Sequence, residues 1–246
     1  MIRKLLSIIY TAYFFFIVLL TYIFYSLIIC PLYPFLGRNR HFIYTIFAKA
    51  WTRTIVLFSG FRIKIHGEMP KDKGPYIYVI NHQSQIDIML ALSFLPPGFF
   101  FVAKDSLFKI PIFGSSLRMS GYVSIERSNS KKAAKTLDEV KEMVRQGRSA
   151  LIYPEGTRGI DGKIGKVKRG SIMIAFQTKT PILPIVMNPT YKAMPKGGVI
   201  VHPKKIDISI GSPIIFDWDN NSREYTIDAA THIEETFKKL ISTINQ

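Results

Sequence analysis

Tyr76-Ile77-Tyr78-Val79-Ile80-Asn81-His82-Gln83-Ser84-Gln85-Ile86-Asp87 is the stretch whose reading decides the fold. The first five residues are aromatic and β-branched, as suits a buried strand, and the apolar run Ile88-Met89-Leu90-Ala91-Leu92 that follows suits a helix. A histidine is thereby placed at a strand end, where α/β proteins bind ligands, with a carboxylate five residues on. If His82 and Asp87 meet, they form a base oriented by an acid, the minimum needed to activate a hydroxyl. Five residues turn a helix through about 500°, so the two share no helical face. They meet only with His82 in the loop and Asp87 in the first helical turn. Ser84 and Asp87 also match a helix-start capping box, which explains the same residues without chemistry. The spacing alone leaves both readings open.

Toward the N-terminus, Leu5 to Cys30 contains no charged residue. As a helix it would extend about 39 Å, longer than the roughly 30 Å hydrocarbon core of a bilayer. Arg3 and Lys4 resemble the start of a secretion signal, but the apolar stretch is too long and lacks a small-x-small cleavage site. A retained membrane helix is expected. His41 to Ser59 is also apolar, with Lys49 and Arg53 one helical turn apart, which predicts an interfacial helix whose basic face meets lipid phosphates. Pro31, Pro34 and Gly37 break the chain between the two. Basic residues flank the first helix on both sides, Arg3 and Lys4 before and Arg38 and Arg40 after. A helical hairpin dipping into one leaflet, with both ends cytoplasmic, therefore fits at least as well as a single crossing. Gly60 is the expected boundary between this element, residues 1–60, and a body of residues 61–246.

The 246 residues can bury one substantial core. Cys30 is the only cysteine, which excludes an internal disulfide and any cysteine-rich zinc site. With 33 Lys+Arg against 17 Asp+Glu, the net charge of +16 predicts an anionic partner, whether nucleic acid, anionic lipid or phosphorylated substrate. The apolar N-terminus selects lipid.

From Phe61 onward, short apolar runs alternate with helical patterns, which predicts an α/β domain with a central mostly parallel or mixed sheet flanked by helices. Strands are expected at 62–66, 76–80, 99–103, 122–125, 150–153, 182–187, 199–202 and 205–210. Helices are expected at 85–95, 133–146, 171–178 and 226–244. The last carries Ile227, Ala230, Ile233, Phe237, Leu240 and Ile244 at helical spacing and reads as a packing helix.

Several strand runs end in charged groups. Ala150-Leu151-Ile152-Tyr153 leads into Pro154-Glu155-Gly156-Thr157-Arg158-Gly159, where the Arg fork could hold a phosphate through two hydrogen bonds. An ordinary Pro-Gly turn with solvated charges explains the segment as well. Tyr122-Val123-Ser124-Ile125 ends on Glu126-Arg127, and Phe99–Ala103 ends on Lys104. If these strands are neighbours with their ends aligned, His82, Lys104, Arg127 and Arg158 line one rim. The loop Lys163-Ile164-Gly165-Lys166-Val167-Lys168-Arg169-Gly170 adds either an anion-steering patch or a solvated loop. It lacks the aromatic interleaving of a single-strand nucleic-acid platform, so nucleic acid is not an expected partner. His41, His66, His202 and His232 have no acid or cysteine at metal-ligand spacing, and no metal site is expected.

These segments, in this order, resemble the glycerolipid acyltransferase family, specifically the 1-acylglycerol-3-phosphate acyltransferases. The resemblance covers roughly Phe61 to Pro213. Asn81-His82-x-x-x-x-Asp87 is similar to the family's first motif. Ser124-Ile125-Glu126-Arg127 is similar to the second, usually Phe-Ile-Asp-Arg, with Glu in place of Asp and Ser in place of the aromatic. Tyr153-Pro154-Glu155-Gly156-Thr157-Arg158 resembles the third, with Tyr for Phe, and Thr180-Pro181-Ile182-Leu183-Pro184-Ile185 the fourth. Lys104 and Lys109-Ile110-Pro111-Ile112-Phe113-Gly114 match a stretch between the first two motifs. The two-helix N-terminal element is similar as well. The resemblance implies acyl transfer from a thioester, acyl-CoA or acyl-ACP, to the sn-2 hydroxyl of lysophosphatidic acid, with no resident cofactor. His82 would be the base and Asp87 its partner. Lys104, Arg127 and Arg158 would grip the substrate phosphate, and Asn81, Glu126, Glu155, Gly156, Thr157 and Pro184 would shape the pocket. The enzyme would sit on the cytoplasmic leaflet. Another acceptor, such as glycerol-3-phosphate or a different lysolipid, stays open, as does hydrolysis by water at the same pair.

Overall fold

A computed structural model describes residues 2–72, 74–126, 130–220 and 222–244. Helices α1 (Ile2–Leu32) and α2 (Arg40–Phe58) are joined by two short 3₁₀ turns around Pro34 and Gly37. The body carries strands β1 (Arg62–His66), β2 (Ile77–Ile80), β3 (Phe100–Lys104), β4 (Val123–Ile125), β5 (Ala150–Ile152), β6 (Ile182–Asn188) and β7 (Lys205–Ile210). Between them lie α3 (Ile86–Phe94), α4 (Asp105–Phe108), α5 (Phe113–Met119), α6 (Ser130–Arg145), α7 (Arg169–Thr178) and α8 (Thr190–Ala193), with α9 (Arg223–Ile244) last.

The seven strands form one mixed sheet in the order β1-β7-β6-β2-β5-β3-β4. Strands β6, β2, β5, β3 and β4 are mutually parallel, β7 runs antiparallel to β6, and β1 is parallel to β7. All four residues of β2 are buried, as expected of a central parallel strand covered on both faces. Because β2, β5, β3 and β4 are parallel neighbours, the polar segments that follow them emerge on one rim. His82, Lys104 and Arg158 thus follow aligned strand ends, while Arg127 lies outside the described residues. Helix α9 packs on β6 and β7 with Ile233 and Phe237 fully buried, as its spacing predicted.

Two expectations are corrected. Residues 199–202 form no strand. Val201 N–H donates to Thr11 Oγ1 of α1 at 3.0 Å and His202 N–H to the Ala193 carbonyl at 2.8 Å, so their backbone is satisfied outside the sheet. The second concerns Lys49, which is turned onto the protein rather than outward to lipid, while Arg53 stays exposed and shares the contact through Nε. Lys49 Nζ donates to the carbonyls of Phe94 and Leu95 at 3.1 and 2.7 Å, and Arg53 Nε to that of Ser93 at 2.9 Å. Carbonyls at a helix C-terminus lack intrahelical donors and carry the negative end of the helix dipole, so two cations from α2 settle there. The sequence also left α4, α5 and α8 as connecting chain; the first and last are single turns, too short for periodicity to mark.

The N-terminal helices share the body's core. Phe14 and Ile55 are buried in it, and α2 packs on α3. Tyr13 donates to the Phe58 carbonyl at 2.9 Å, Trp51 Nε1 to Thr21 at 3.1 Å, and the Tyr22 and Ser116 hydroxyls lie 2.6 Å apart. The opposite face of α1, including Leu5, Phe16, Leu20, Phe24 and Leu27, is exposed and apolar. Helix α1 is long and apolar enough to cross a membrane.

Candidate active site

The loop after β2 turns immediately into α3, so His82 stays outside the helix while Asp87 enters its first turn. His82 Nδ1 lies 2.8 Å from Asp87 Oδ2. The same oxygen accepts the backbone N–H groups of Gln83 at 2.7 Å and Ser84 at 2.8 Å. An oxygen holding two backbone donors is an acceptor, which puts the proton of the third bond on Nδ1. Nε2 is then left with a free lone pair. Asp87 is fully buried, whereas the His82 side chain keeps about a fifth of its surface open. Ser84 N–H reaching Asp87 is one half of a capping box. The Ser84 hydroxyl meanwhile accepts Ile86 N–H at 3.2 Å and donates to the Met194 carbonyl at 2.8 Å. Capping and dyad thus use one carboxylate oxygen and are the same structure.

The backbone of His82 is held from β5's side. Its N–H donates to Glu155 Oε1 at 2.8 Å, and its carbonyl accepts Gly159 N–H at 2.8 Å. Glu155 Oε2 accepts Gly165 N–H at 2.7 Å. A Cβ at position 165 would sit 2.6 Å from that oxygen, so any other residue there would push the carboxylate off its place. Burial pushes the Glu155 carboxyl above its usual range, opposed by these two backbone donors. The Tyr153 ring stacks on the imidazole at 4.0 Å between centroids and 20° between planes. Its buried hydroxyl has no partner among the described residues. Burial, with the Asp87 charge as a smaller cause, raises that phenol well above its ordinary value.

Beside this pair, Arg158 and Thr157 face Lys166, Lys168 and Arg169 across a cleft of about 510 Å³. Arg158 Nη1 and Arg169 Nε are buried without an acceptor among the described residues, and the exposed Lys166 and Lys168 give the cleft its positive charge. The hydroxyl of Thr157 accepts from Lys196 at 3.1 Å. Gly156 takes φ +68°, and a Cβ there would meet Lys168 Nζ at 2.8 Å. The loop 163–170 is therefore drawn into the site, which the sequence left undecided.

The other expected residues divide. Asn81 is buried and exchanges two hydrogen bonds with the Met187 backbone, at 3.1 and 2.8 Å, fastening β2 to β6 rather than lining a pocket. Pro184 pairs with Val79 inside the sheet and packs on Gly211, away from the rim. Lys104 is exposed at the end of β3, two strands from β2, roughly 10 Å by strand spacing. Glu126 follows β4, one strand further, and pairs with Lys132 at 2.7 Å. Arg127 lies outside the described residues. Sequence reasoning missed the roles of Tyr153, Gly159 and Gly165; the glycines in an otherwise charged loop were the available signal.

A second, apolar cavity is lined by Tyr22 and Tyr25 of α1, Tyr44 and Trp51 of α2, and Ile88 and Met89 of α3. The last two follow Asp87 directly in the chain.

The sequence model of the family described as "Acyltransferase" matches residues 62–188. The chain is 35% identical over 185 residues to the chloroplastic 1-acyl-sn-glycerol-3-phosphate acyltransferase LPAT1 of Arabidopsis thaliana, covering 74% of this chain and 50% of that protein. A 1-acyl-sn-glycerol-3-phosphate acyltransferase of Pseudomonas aeruginosa is 32% identical over 189 residues, covering 76% and 72%. The chain spans about half the length of the first of these relatives. The crystal structure of the 1-acyl-sn-glycerophosphate (LPA) acyltransferase PlsC from Thermotoga maritima superposes with a TM-score of 0.81 at 30% identity, covering 99% of this chain and 98% of the other.

Proposed function

The chain belongs to the acyltransferase family, and on that premise we propose that it transfers a fatty acyl group from a thioester to the sn-2 hydroxyl of lysophosphatidic acid, yielding phosphatidic acid. The observation that carries this reading is the His82 Nδ1–Asp87 Oδ2 bond, which leaves Nε2 free to act as a base, next to a cleft lined by Arg158, Lys166, Lys168 and Arg169. In the proposed step, Nε2 takes the proton of the acceptor hydroxyl as its oxygen attacks the thioester carbonyl. The tetrahedral adduct then collapses, the carbon–sulfur bond breaks, and the imidazolium returns the proton to the leaving thiolate. Asp87 keeps the imidazole oriented and favours its cationic form. A thioester is already activated, so no serine or cysteine nucleophile is needed.

Arg158, with Lys166, Lys168 and Arg169 around the cleft, would hold the acceptor's phosphate; Lys104 and Arg127 remain candidates for the same anion. Glu155 and Gly165 act one step back, by fixing the His82 backbone. The apolar cavity behind α3 suits an acyl chain. Removing about 15 methylenes from lipid into water would cost on the order of 12 kcal/mol at ~0.8 per methylene. An enzyme whose α1 lies along one leaflet avoids that cost, and side-on docking of α1 to the body supports this placement over a crossing. The donor is coenzyme A or acyl carrier protein, both acidic, which the +16 net charge suits.

The test offers labelled acyl-CoA and acyl-ACP with a panel of acceptors to the wild type and to His82→Ala. Loss of general base catalysis should lower turnover by about 10²–10⁴-fold. Near-normal turnover by His82→Ala would discard the mechanism. Release of free fatty acid without acceptor would assign the pair to hydrolysis.

A further inference from the structure

The turn between α4 and α5 is apolar where a solvent-facing loop would be polar. Leu107, Ile110 and Ile112 are 38%, 45% and 67% exposed. Ile112 takes φ 61° and ψ −55°, and Phe113 N–H donates across it to the Pro111 carbonyl at 2.6 Å. That is a γ-turn of the positive-φ kind, rare for any residue and strained for a β-branched one. Strain of this sort normally persists where packing over-determines the residue. Here the backbone is held, by Ser116 N–H and Oγ on the Ile112 carbonyl at 3.0 and 3.3 Å, but the side chain stands out in the open and packs on nothing.

The other side of the same turn faces the membrane helices. Phe113, Ser116 and Leu117 line the apolar cavity. The Phe113 ring lies 6.5 Å from that of Tyr22 in α1, and Ser116 is hydrogen-bonded to the Tyr22 hydroxyl. Leu19 and Ile23, on either side of Tyr22, are exposed and apolar. The exposed surface of α1 thus runs on to Ile112, with Lys104 exposed beside it and Lys109 exposed but paired with Asp105 at 2.7 Å.

We propose that the Leu107–Ile112 turn inserts into the membrane interface as a second lipid contact beside α1, and forms the lipid-facing lip of the apolar cavity. Its occupant is the upper acyl region of a bilayer. Continuity with the apolar face of α1 and the exposed Lys104, which suits anionic headgroups, favour lipid over a protein partner. The proposal rests on α1 lying against the membrane. It does not depend on which acceptor or donor is used, and its test reads no turnover.

The full chain carrying Cys30→Ser and Ile112→Cys is labelled with an environment-sensitive fluorophore and reconstituted into phosphatidylcholine–phosphatidylglycerol vesicles. The lipids carry a nitroxide quencher high or low on the acyl chain. Leu20→Cys on the outer face of α1 and Ile215→Cys, exposed far from it at the opposite end of β6, serve as references. The label at 112 should shift to the blue and be quenched best by the shallow nitroxide. Water-like emission at 112 with quenching at 20 would overturn the inserted turn alone. Water-like emission at both would overturn the membrane placement of α1 and the turn with it. As a second measurement, Ile112→Gly should raise Tm in detergent, because glycine accepts positive φ. A lower Tm would show that the turn is compensated inside the protein and would defeat the inference.

Discussion

Glu155 and Tyr153 shape His82 from opposite directions, and each makes a distinct prediction. Tyr153 contributes a stacked ring but leaves its hydroxyl buried without a partner among the described residues. Tyr153→Phe keeps the stack and removes the unmatched group, so stability should be unchanged or higher by about 1 kcal/mol, with turnover retained. Chemical denaturation and steady-state assays check both. The Glu155 carboxyl is raised by burial above its ordinary value near 4.5. In the interval above that value the folded state holds a proton that the unfolded chain has released, so its contribution to stability falls as pH rises. Glu155→Gln cannot release that proton, and the difference in stability between wild type and variant should show this negative slope. The variant also turns an amide NH₂ toward either His82 N–H or Gly165 N–H, which should cost about 1–3 kcal/mol. A pH series of denaturation midpoints separates the two effects.

Helix α3 carries Asp87 in its first turn, and its far end is held by α2 rather than by a glycine cap. Lys49 and Arg53 together satisfy three consecutive carbonyls, of Ser93, Phe94 and Leu95. Burial lowers the Lys49 ammonium below its usual value, with Arg53 adding repulsion, yet the hydrogen bonds keep it in place. Lys49→Met or Arg53→Met should each destabilise the protein by about 1–2 kcal/mol. The double variant should lower kcat more than it raises KM, because α3 carries Asp87 and not the cationic cleft. An unchanged kcat would confine these residues to stability.

Across the whole molecule, one face of α1 is docked on the body and the other is apolar and exposed. Leu20→Lys with Leu27→Lys touches no interior contact, since both side chains are exposed. Membrane association should weaken markedly, by the loss of two leucines' burial at about 1.5–3 kcal/mol each, while Tm in detergent stays the same. Vesicle flotation and thermal denaturation test the two halves separately. An unaltered flotation would place the lipid-binding surface elsewhere.

What the sequence determined by itself was local. The apolar runs of β2, β5 and β6, the helical period of α9, the uncharged span of α1 and the position of His82 at a strand end all follow from residues close together in the chain. Hydrophobic periodicity and turn chemistry encode such features directly. The partners of polar groups were decided only by the tertiary structure. Thr11 took the N–H of Val201 and removed an expected strand, and α3's carbonyls turned Lys49 from lipid to protein. Gly165 and His82 converged on Glu155, while Asn81 and Pro184 were drawn into the sheet. The same holds at the opening stretch, where one Asp87 oxygen serves both the helix start and the imidazole. A buried donor or acceptor must find a partner, and which one it finds depends on elements distant in the chain.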